Sequence, residues 1–588
     1  MKWGKKIYIS MPLAASPVAT IGIIILRIVQ SISPALYAVI IASIVDNSYL
    51  VMQNGDIAGM ALLLIVLFLL ILFQFLGSTL TGLLYTQLRT RLRELHDKEI
   101  LSKISRLPYF YIEDKYTYEL IHRIDKKYDV QIMNGFQTYL RTAGNALQII
   151  SIFSIILSAN AWWSALFLIL FSIPLILASI ISGKKNYDAS VHATAEEQKA
   201  NYLNEVLTGR NAALERNFYG FSRWMRNKWN RQFSYAQGII IHSQMKAIVR
   251  MKLGSMLTAV ISIAVCAMLI PALMKNQMSL GIFFGLTTAI FNFVTLVSWE
   301  IADNFNQLVQ SNTYVKDLNT FMNLDEIATA KQRFSSTSIE IHIKFEHVSF
   351  KYPGYDEFIL KDLNMDLIPH KHYALVGING AGKTTLIKLL TGFYTEYEGK
   401  ILINDQDIRE ISPDDLQKYY SIAFQDFARY NITIREYLQF EVSIGEFQIW
   451  KMLSLLNVDG PVYALPLGLD TPMGRIKAGG HEFSQGQWQR LMLARTLLHS
   501  APIYIFDEPT SAIDPIGESK LYDQIMRLTT NHLALFITHR LGAARFADEI
   551  LVLNEGFIAE RGAHEELMKQ DGIYAKMYET QKRWYVNE

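Results

Sequence analysis

Gly377-Ile378-Asn379-Gly380-Ala381-Gly382-Lys383-Thr384 is the stretch whose reading decides the fold. It fits G-x-x-x-x-G-K-[ST], a loop whose successive backbone N–H groups wrap phosphate oxygens while the helix behind it aims its positive dipole end at them. Gly377, Gly380 and Gly382 let the backbone come close, with Asn379 and Ala381 between them, and Thr385 follows the motif. Lys383 is spaced to reach the β- and γ-phosphates, and the Thr384 hydroxyl to meet Mg²⁺. Tyr373 to Val376 is apolar and β-prone, and Leu386 to Leu390 has helical spacing. The strand-loop-helix context that the motif requires is therefore present.

Working outward, residues 503–508 read IYIFDE. Four apolar residues without a polar break, ending in two carboxylates, predict a buried parallel strand with its acids at the C-terminal edge, where open α/β sheets bind ligands. Asp507 is placed to hold Mg²⁺, directly or through water and Thr384, and Glu508 to polarise an attacking water. Alone, an adjacent Asp-Glu pair is more often a solvated strand end; beside a phosphate loop it reads as catalytic.

The order of these segments, with FSQGQWQR at 483–490 between them, resembles the nucleotide-binding domain of an ATP-binding-cassette (ABC) transporter from about Ile341 onward. The resemblance implies further roles. Tyr352 corresponds to the aromatic that stacks on adenine, a contact favourable for any purine face. Gln425 in AFQD corresponds to the glutamine that senses Mg²⁺ and the γ-phosphate, Asp514 in SAID to the loop that crosses a domain dimer, and His539 in ITHR to the histidine that touches the γ-phosphate. His539 also follows the apolar run LALFIT, which places it at a strand end. The family pattern L-S-G-G-Q is here Phe483, Ser484, Gln485, Gly486, Gln487. Ser484, Gly486 and Gln487 are kept, to cap the ATP bound by a second subunit. Gln485 replaces a glycine, with the expectation that a backbone conformation open only to glycine is lost there. ATP and Mg²⁺ are the implied cofactors.

The other half of the chain has a different composition. With 588 residues, 51% hydrophobic and 19% charged, the whole is too oily for one soluble protein and ordinary for a membrane region joined to a soluble one. A net charge of +2 gives no sign of a nucleic-acid partner. The one cysteine, Cys266, excludes an intrachain disulfide and a Cys-rich metal site. Uncharged stretches long enough to cross the hydrocarbon layer, about 20 residues as helix, recur up to residue 310. A Lys-rich start with Pro12 and Pro17 predicts a short surface helix, then a first span from about Val18 that Arg27 interrupts. A second lies within Ile57 to Leu88. Ala159 to Ala161 divides Thr142 to Gly183 into two spans, and Lys252 to Lys275 and Asn276 to Trp299 supply two more.

The expected fold is an all-α transmembrane domain of six helices (residues 1–310), a linker (311–340) and an α/β P-loop ATPase domain (341–588). Lys and Arg concentrate in Arg89 to Arg141 and Lys184 to Lys252, while the short intervening loops lack them. Both termini and the ATPase domain are thereby expected on the cytoplasmic side of a bacterial cell membrane. The long basic loops resemble those of ABC exporters, in which coupling helices, here near Tyr109 to Tyr118 and Asn211 to Phe218, rest on the ATPase domains. Arg27 is a candidate cavity residue for anionic cargo, or equally a snorkelling or ion-paired one; Glu300 and Asp303 read as a solvated helix end.

FQDFARYNITIREYL (424–438), LGLDTPMGRIKAGGHEFSQGQWQR (467–490) and RLGAARFADEI (540–550) resemble the exporters of lantibiotics and related ribosomal peptides, the nisin-transporter type. That implies a half-size exporter working as a dimer, with a modified peptide as cargo and membrane lipid around it. Exporters of this type that also trim their cargo bear an N-terminal cysteine protease; with no cysteine before Cys266, the resemblance implies that removal of a cargo leader is to be expected of another protein. Glu508 favours two identical chains, because asymmetric pairs of the family often lack that glutamate in one subunit, whereas the altered Gln485 pulls toward a heterodimer, which stays open as the alternative. A lipid or hydrophobic-drug exporter, or a regulatory ATPase subunit of a membrane complex, remain the alternatives.

Overall fold

The computed structural model describes residues 6–54, 57–125, 128–158, 162–210, 212–275, 277–327, 340–440, 442–475, 479–510 and 515–586. The chain divides into two units: residues 1–106 with 114–324, and 107–113 with 325–588.

The first unit is helical. Its elements are α1 (Ile7–Ala15), α2 (Pro17–Asn54), α3 (Ala58–Ser105), then, beyond α4 (Tyr109–Glu113) of the second unit, α5 (Lys115–Asp125), α6 (Tyr128–Ser158), α7 (Trp162–Thr208), α8 (Ala213–Tyr219), α9 (Ser222–Met274), α10 (Leu280–Thr295) and α11 (Ile301–Met322). Among the described residues, α2, α3 and α6 contain stretches long and apolar enough to cross a membrane, and α10 and the end of α9 are shorter apolar helices. Helices α3, α7 and α9 run 48, 47 and 53 residues. At 1.5 Å per residue that is about 70–80 Å, well beyond a hydrocarbon core of about 30 Å. The apolar window of α3 buries none of its residues against the described chain, a surface suited to lipid. The chain is helical up to Ser158 and again from Trp162, while the expected break at 159–161 lies outside the described residues.

Two elements of this unit gain partners from distant helices. Helix α1 buries one face, through Ile7, Tyr8, Met11 and Pro12, and leaves Ile9 and Leu13 exposed on the other. The Tyr8 ring fills the space where Gly135 of α6 lacks a side chain, and its hydroxyl donates to the Ser311 carbonyl of α11 (2.5 Å). An amphipathic reading of Lys-rich flanks misses this, because the slot lies far along the chain. Glu300 and Asp303 are both exposed, and Glu300 also meets a residue of α6. Glu300 closes a π-turn at Leu296–Glu300 and faces Asn145, whose side-chain amide, turned so that its NH₂ points at the carboxylate, donates to it (3.2 Å) and accepts from Asn304 (2.8 Å). Arg27 passes beside Gly144, with a buried Nε that has no hydrogen-bond partner. Closer to the end of α2, Gly281 and Gly285 of α10 lie against the carbonyls of Ala42 and Ala38. The Asp46 carboxylate accepts from Ser279 Oγ (2.6 Å) and Gly281 N–H (2.7 Å). Small residues let these helices approach closely where water offers no drive.

The second unit holds two sheets. An antiparallel one has the order β2 (Leu360–Leu367), β1 (Ile343–Phe350), β4 (Glu398–Ile403), β5 (Gln406–Asp407). The other has the order β10 (Phe557–Gly562), β9 (Glu549–Asn554), β3 (His372–Val376), β8 (Leu533–Ile537), β7 (Ile503–Asp507), β6 (Tyr420–Ala423); it is parallel except for β10 at its edge. Strands β7 and β8 are buried at every position, as their continuous apolar runs require of strands covered on both faces. One core joins both sheets to helix α12 (Lys383–Leu390). A second packs α13 (Gln485–Leu498) and α14 (Pro515–Leu528) on the far face through Trp488, Tyr522, Phe506 and Phe536. A last helix, α15 (Ile573–Val586), packs Ile573, Met577 and Tyr578 near β3 and β9.

Helix α4 belongs to this unit. Tyr109 stacks on Phe393 with ring centres 4.8 Å apart, Glu113 pairs with Lys388 Nζ (2.5 Å), and the Tyr394 hydroxyl donates to Glu113.

Candidate functional site

Four neighbouring parallel strands, in the spatial order β3, β8, β7, β6, end at one edge. The residue runs that follow them are Gly377 to Thr384, His539, Glu508 and Gln425. Hydrogen-bonded strand neighbours lie about 5 Å apart, so the register alone collects residues that are 160 positions apart in sequence. They line one cavity of about 1250 Å³, together with Tyr352, Thr385 and Asp507.

The loop reaches its shape through Gly380 and Gly382, whose φ values of +84° and +106° are strained for any residue bearing a Cβ. Lys383, nearly buried at 6% exposure, folds its Nζ onto the carbonyls of Gly377 (2.9 Å) and Ile378 (3.1 Å). Burial holds its pKa below the ordinary lysine value, while Glu508 and Asp507 pull it back up. Tyr352 reaches across from the end of β1, its hydroxyl 3.0 Å from Thr385 Oγ1 and its ring beside Tyr394.

Glu508 adopts a left-handed backbone, φ +47°, just past the end of β7. Such a conformation in a non-glycine residue costs about 1–3 kcal/mol and persists where surroundings enforce it; here its N–H donates to the Ile537 carbonyl (2.9 Å). The bend sends its carboxylate between two neighbours: Oε2 accepts from Gln425 Nε2 (2.9 Å), and Oε1 lies 3.0 Å from His539 Nε2. Burial, then the charge of Lys383, holds the His539 imidazole below its ordinary value, against the pull of Glu508. Asp507 is 4% exposed and its carboxyl is pushed up to about 6, chiefly by burial and then by Glu508, with Lys383 compensating in part. A buried carboxylate with that deficit of positive charge fits a divalent cation held mainly by nucleotide phosphates. No cluster of three or more His, Cys, Asp or Glu residues able to cage a metal occurs among the described residues.

Not every expected residue meets here. Ala381 is buried under the loop rather than facing the cavity. Ser484, Gly486 and Gln487 do not line it; they form the first turn of α13, where Ser484 Oγ accepts from Gln487 N–H (3.3 Å) and the Gln487 side chain accepts from Ser484 N–H (2.9 Å). This reciprocal cap sets Gln485 on the exposed side of a helical turn, outside the residues with positive φ. The expected loss of a glycine-only conformation is thereby corrected: an L-residue fits this turn without strain. Asp514 lies outside the described residues. Of the coupling segments, Tyr109 to Glu113 lies in the second unit and Asp114 to Tyr118 in the first; Asn211 lies outside the described residues, and Leu214 and Phe218 on α8 are 86% and 83% exposed. Sequence reading missed Lys576, Met577, Thr580 and Gln581 of α15, which also line the cavity. Their helical spacing carries no motif, so no local signal marks them.

The model of the ABC transporter family matches residues 360–511. The chain is 30% identical over 498 residues to the subtilin transport ATP-binding protein SpaT of Bacillus subtilis, covering 83% of this chain and 80% of that one. It is 28% identical over 499 residues to the ATP-dependent lipid A-core flippase of Mannheimia succiniciproducens, covering 82% of each. The fold is similar to that of a bacterial Atm1-family ABC exporter solved with ATP bound, with a TM-score of 0.76 at 21% identity over 96% of this chain and 99% of that one.

Proposed function

Because this chain belongs to the ABC transporter family, and is an ATP-driven exporter whose ATPase activity is coupled to transport, we propose that it moves a modified peptide of the lantibiotic type outward across a bacterial cytoplasmic membrane. The observation that carries the motor half of this reading is the convergence of Gly377 to Thr384, Gln425, Asp507, Glu508 and His539 on one sheet edge. The cargo half is supported by the similarity to SpaT across most of both chains. The flippase similarity over a like share favours lipid as the second reading.

In this reading the unit from residue 341 onward is the ATPase domain, 311–340 the linker and 1–310 a transmembrane domain of six spans with cytoplasmic ends. Tyr352 stacks on adenine. The loop amides and Lys383 hold the phosphates; for this Lys383 exchanges its carbonyl partners at Gly377 and Ile378 for phosphate oxygens, a stronger charge-assisted contact. Thr384, Gln425 and Asp507 would hold Mg²⁺, which supplies charge neutralisation at the β- and γ-phosphates. Glu508, already oriented by Gln425 and His539, accepts a proton from the attacking water, and His539 then donates a hydrogen bond to the γ-phosphate. Ser484, Gly486 and Gln487 complete the site of a second, identical copy; their absence from this chain's own cavity supports that division. Asp514 crosses between the copies. Tyr109 to Tyr118 and Asn211 to Phe218 transmit closure to the helices.

The test is transport into inside-out vesicles containing the full-length chain, with a labelled lantibiotic precursor and a fluorescent lipid as parallel substrates. ATP-dependent accumulation of the peptide supports the peptide reading, and lipid movement without peptide uptake replaces it. ATP turnover with neither movement assigns the chain to the regulatory class.

A further inference from the structure

Helix α15 contributes to the lining of the nucleotide cavity, and one of its side chains grips the backbone around His539. Gln581 Nε2 donates to the His539 carbonyl (2.5 Å), and Gln581 Oε1 accepts from the Leu541 N–H (2.8 Å). Both ends of one amide are thus spent on two backbone groups that flank Arg540. These groups follow the end of β8 and have no strand partner in the sheet, so a side chain does for them what a neighbouring strand does elsewhere. The rest of the turn is fixed from other directions. Thr538 Oγ1 accepts from Arg540 N–H (2.9 Å), and the Arg540 guanidinium pairs with Glu518 of α14.

The helix carrying Gln581 is itself anchored at its start. Glu560 of β10 accepts from the N–H groups of Ile573 and Tyr574, and the Tyr574 hydroxyl lies 2.8 Å from His564 Nδ1. Met577 and Tyr578 pack near β3 and β9. With the helix rotation set this way, Lys576, Thr580 and Gln581 fall on the face toward the cavity. The His539 imidazole, 3.0 Å from Glu508, therefore takes its position from a residue 42 places further along the chain.

We propose that Gln581 is a positioning residue for His539, so that α15 is part of the hydrolytic apparatus of this ATPase. The proposal rests on the role given to His539 above. Both ends of the Gln581 amide are taken up by the turn, so it acts by keeping the imidazole in register with Glu508 and the γ-phosphate. Displacements of about 1 Å at such a group cost up to about a hundredfold in rate, and the loss of two hydrogen bonds to an otherwise intact turn is expected to cost about tenfold.

The experiment uses the purified full-length transporter in lipid nanodiscs, with Gln581→Met, which keeps the side-chain length, and Gln581→Glu, which keeps the acceptor for Leu541 but sets a carboxylate against the His539 carbonyl. Both variants are expected to lower kcat for ATP about tenfold while leaving KM and the affinity for a fluorescent ATP analogue unchanged. In a His539→Ala background, Gln581→Met is expected to cause no further loss. Wild-type kcat in both variants overturns the proposal, and so does an equal loss in the presence and absence of His539, which marks a merely structural role. If Gln581→Met lowers the melting temperature, Gln581→Glu decides by the same criteria. Wild-type turnover in His539→Ala alone instead removes the role of His539, an outcome distinct from failure at Gln581.

Discussion

The two units of this chain gather their polar groups in different ways. In the unit from Ile343 onward, polar side chains collect where strands end: Lys383, Gln425, Asp507, Glu508 and His539 sit together because β3, β6, β7 and β8 are in parallel register. In the helical unit, Asn145 of α6 meets Glu300 and Asn304 of one neighbouring stretch, and Arg27 of α2 lies beside Gly144 of α6, all through lateral packing. The sheet fixes a site by hydrogen-bonded register, which tolerates no sliding without moving every side chain to the other face. The helices are held by close packing, as between Gly281 and the Ala42 carbonyl, and by scattered side-chain hydrogen bonds, as from Tyr8 to Ser311. A chemical site that must repeat its geometry at each turnover is better built on the first kind of scaffold.

The sharpest way to break this contrast is at Glu508. Glu508→Gln is expected to lower ATP turnover at least a hundredfold, with nucleotide binding retained, as measured by phosphate release beside binding of a fluorescent ATP analogue. Appreciable residual turnover would mean that the sheet edge does not hold the base.

A stability comparison comes next. Phe536, 2% exposed between β7 and α14, and Phe75, 72% exposed on α3, differ in surroundings and not in chemistry. Phe536→Ala is expected to cost about 3–5 kcal/mol, read as a lower melting temperature of the ATPase unit, whereas Phe75→Ala changes it by less than about 0.5 kcal/mol. Equal effects would show that the helical unit is packed as tightly as the sheet.

The smallest effect is expected at Glu113. Burial pushes its carboxyl up, but hydrogen bonds from Lys388, Tyr394 and Tyr109 outweigh that and hold it below the ordinary carboxylate value. A depressed carboxylate stabilises the folded state above its unfolded pKa and loses that contribution as pH falls through the folded value. Glu113→Gln is thus expected to lower the melting temperature at pH 7 by an amount corresponding to about 0.5 kcal/mol, since the pair is partly exposed. The gap from the parent protein closes below about pH 4. A gap that persists at pH 3 would assign the contact to packing of Tyr109 on Phe393 instead of charge.

How much was legible varied with the range of the signal. The loop at 377–384 and the strand at 503–507 could be read because glycine, apolar runs and adjacent carboxylates act within a few residues. Gln425 and His539 required the resemblance, since an isolated glutamine or histidine at a strand end has no signature. Tyr8 and Gln581 left none at all: each finds its partner, Gly135 or the His539 turn, only after helices and sheet have formed. Gln485 shows the opposite error, a local rule applied where the cap made by Ser484 and Gln487 had already fixed a helical turn.

The sequence by itself determined that a phosphate loop and a buried acidic strand exist and that the first half is apolar enough for a membrane, because those properties follow from backbone freedom and hydrophobicity along short segments. Only the tertiary structure decided that Glu508 lies between Gln425 and His539, and that an amide from α15 holds the latter. Strand register and helix docking set these distances, and neither is encoded in any one stretch of chain.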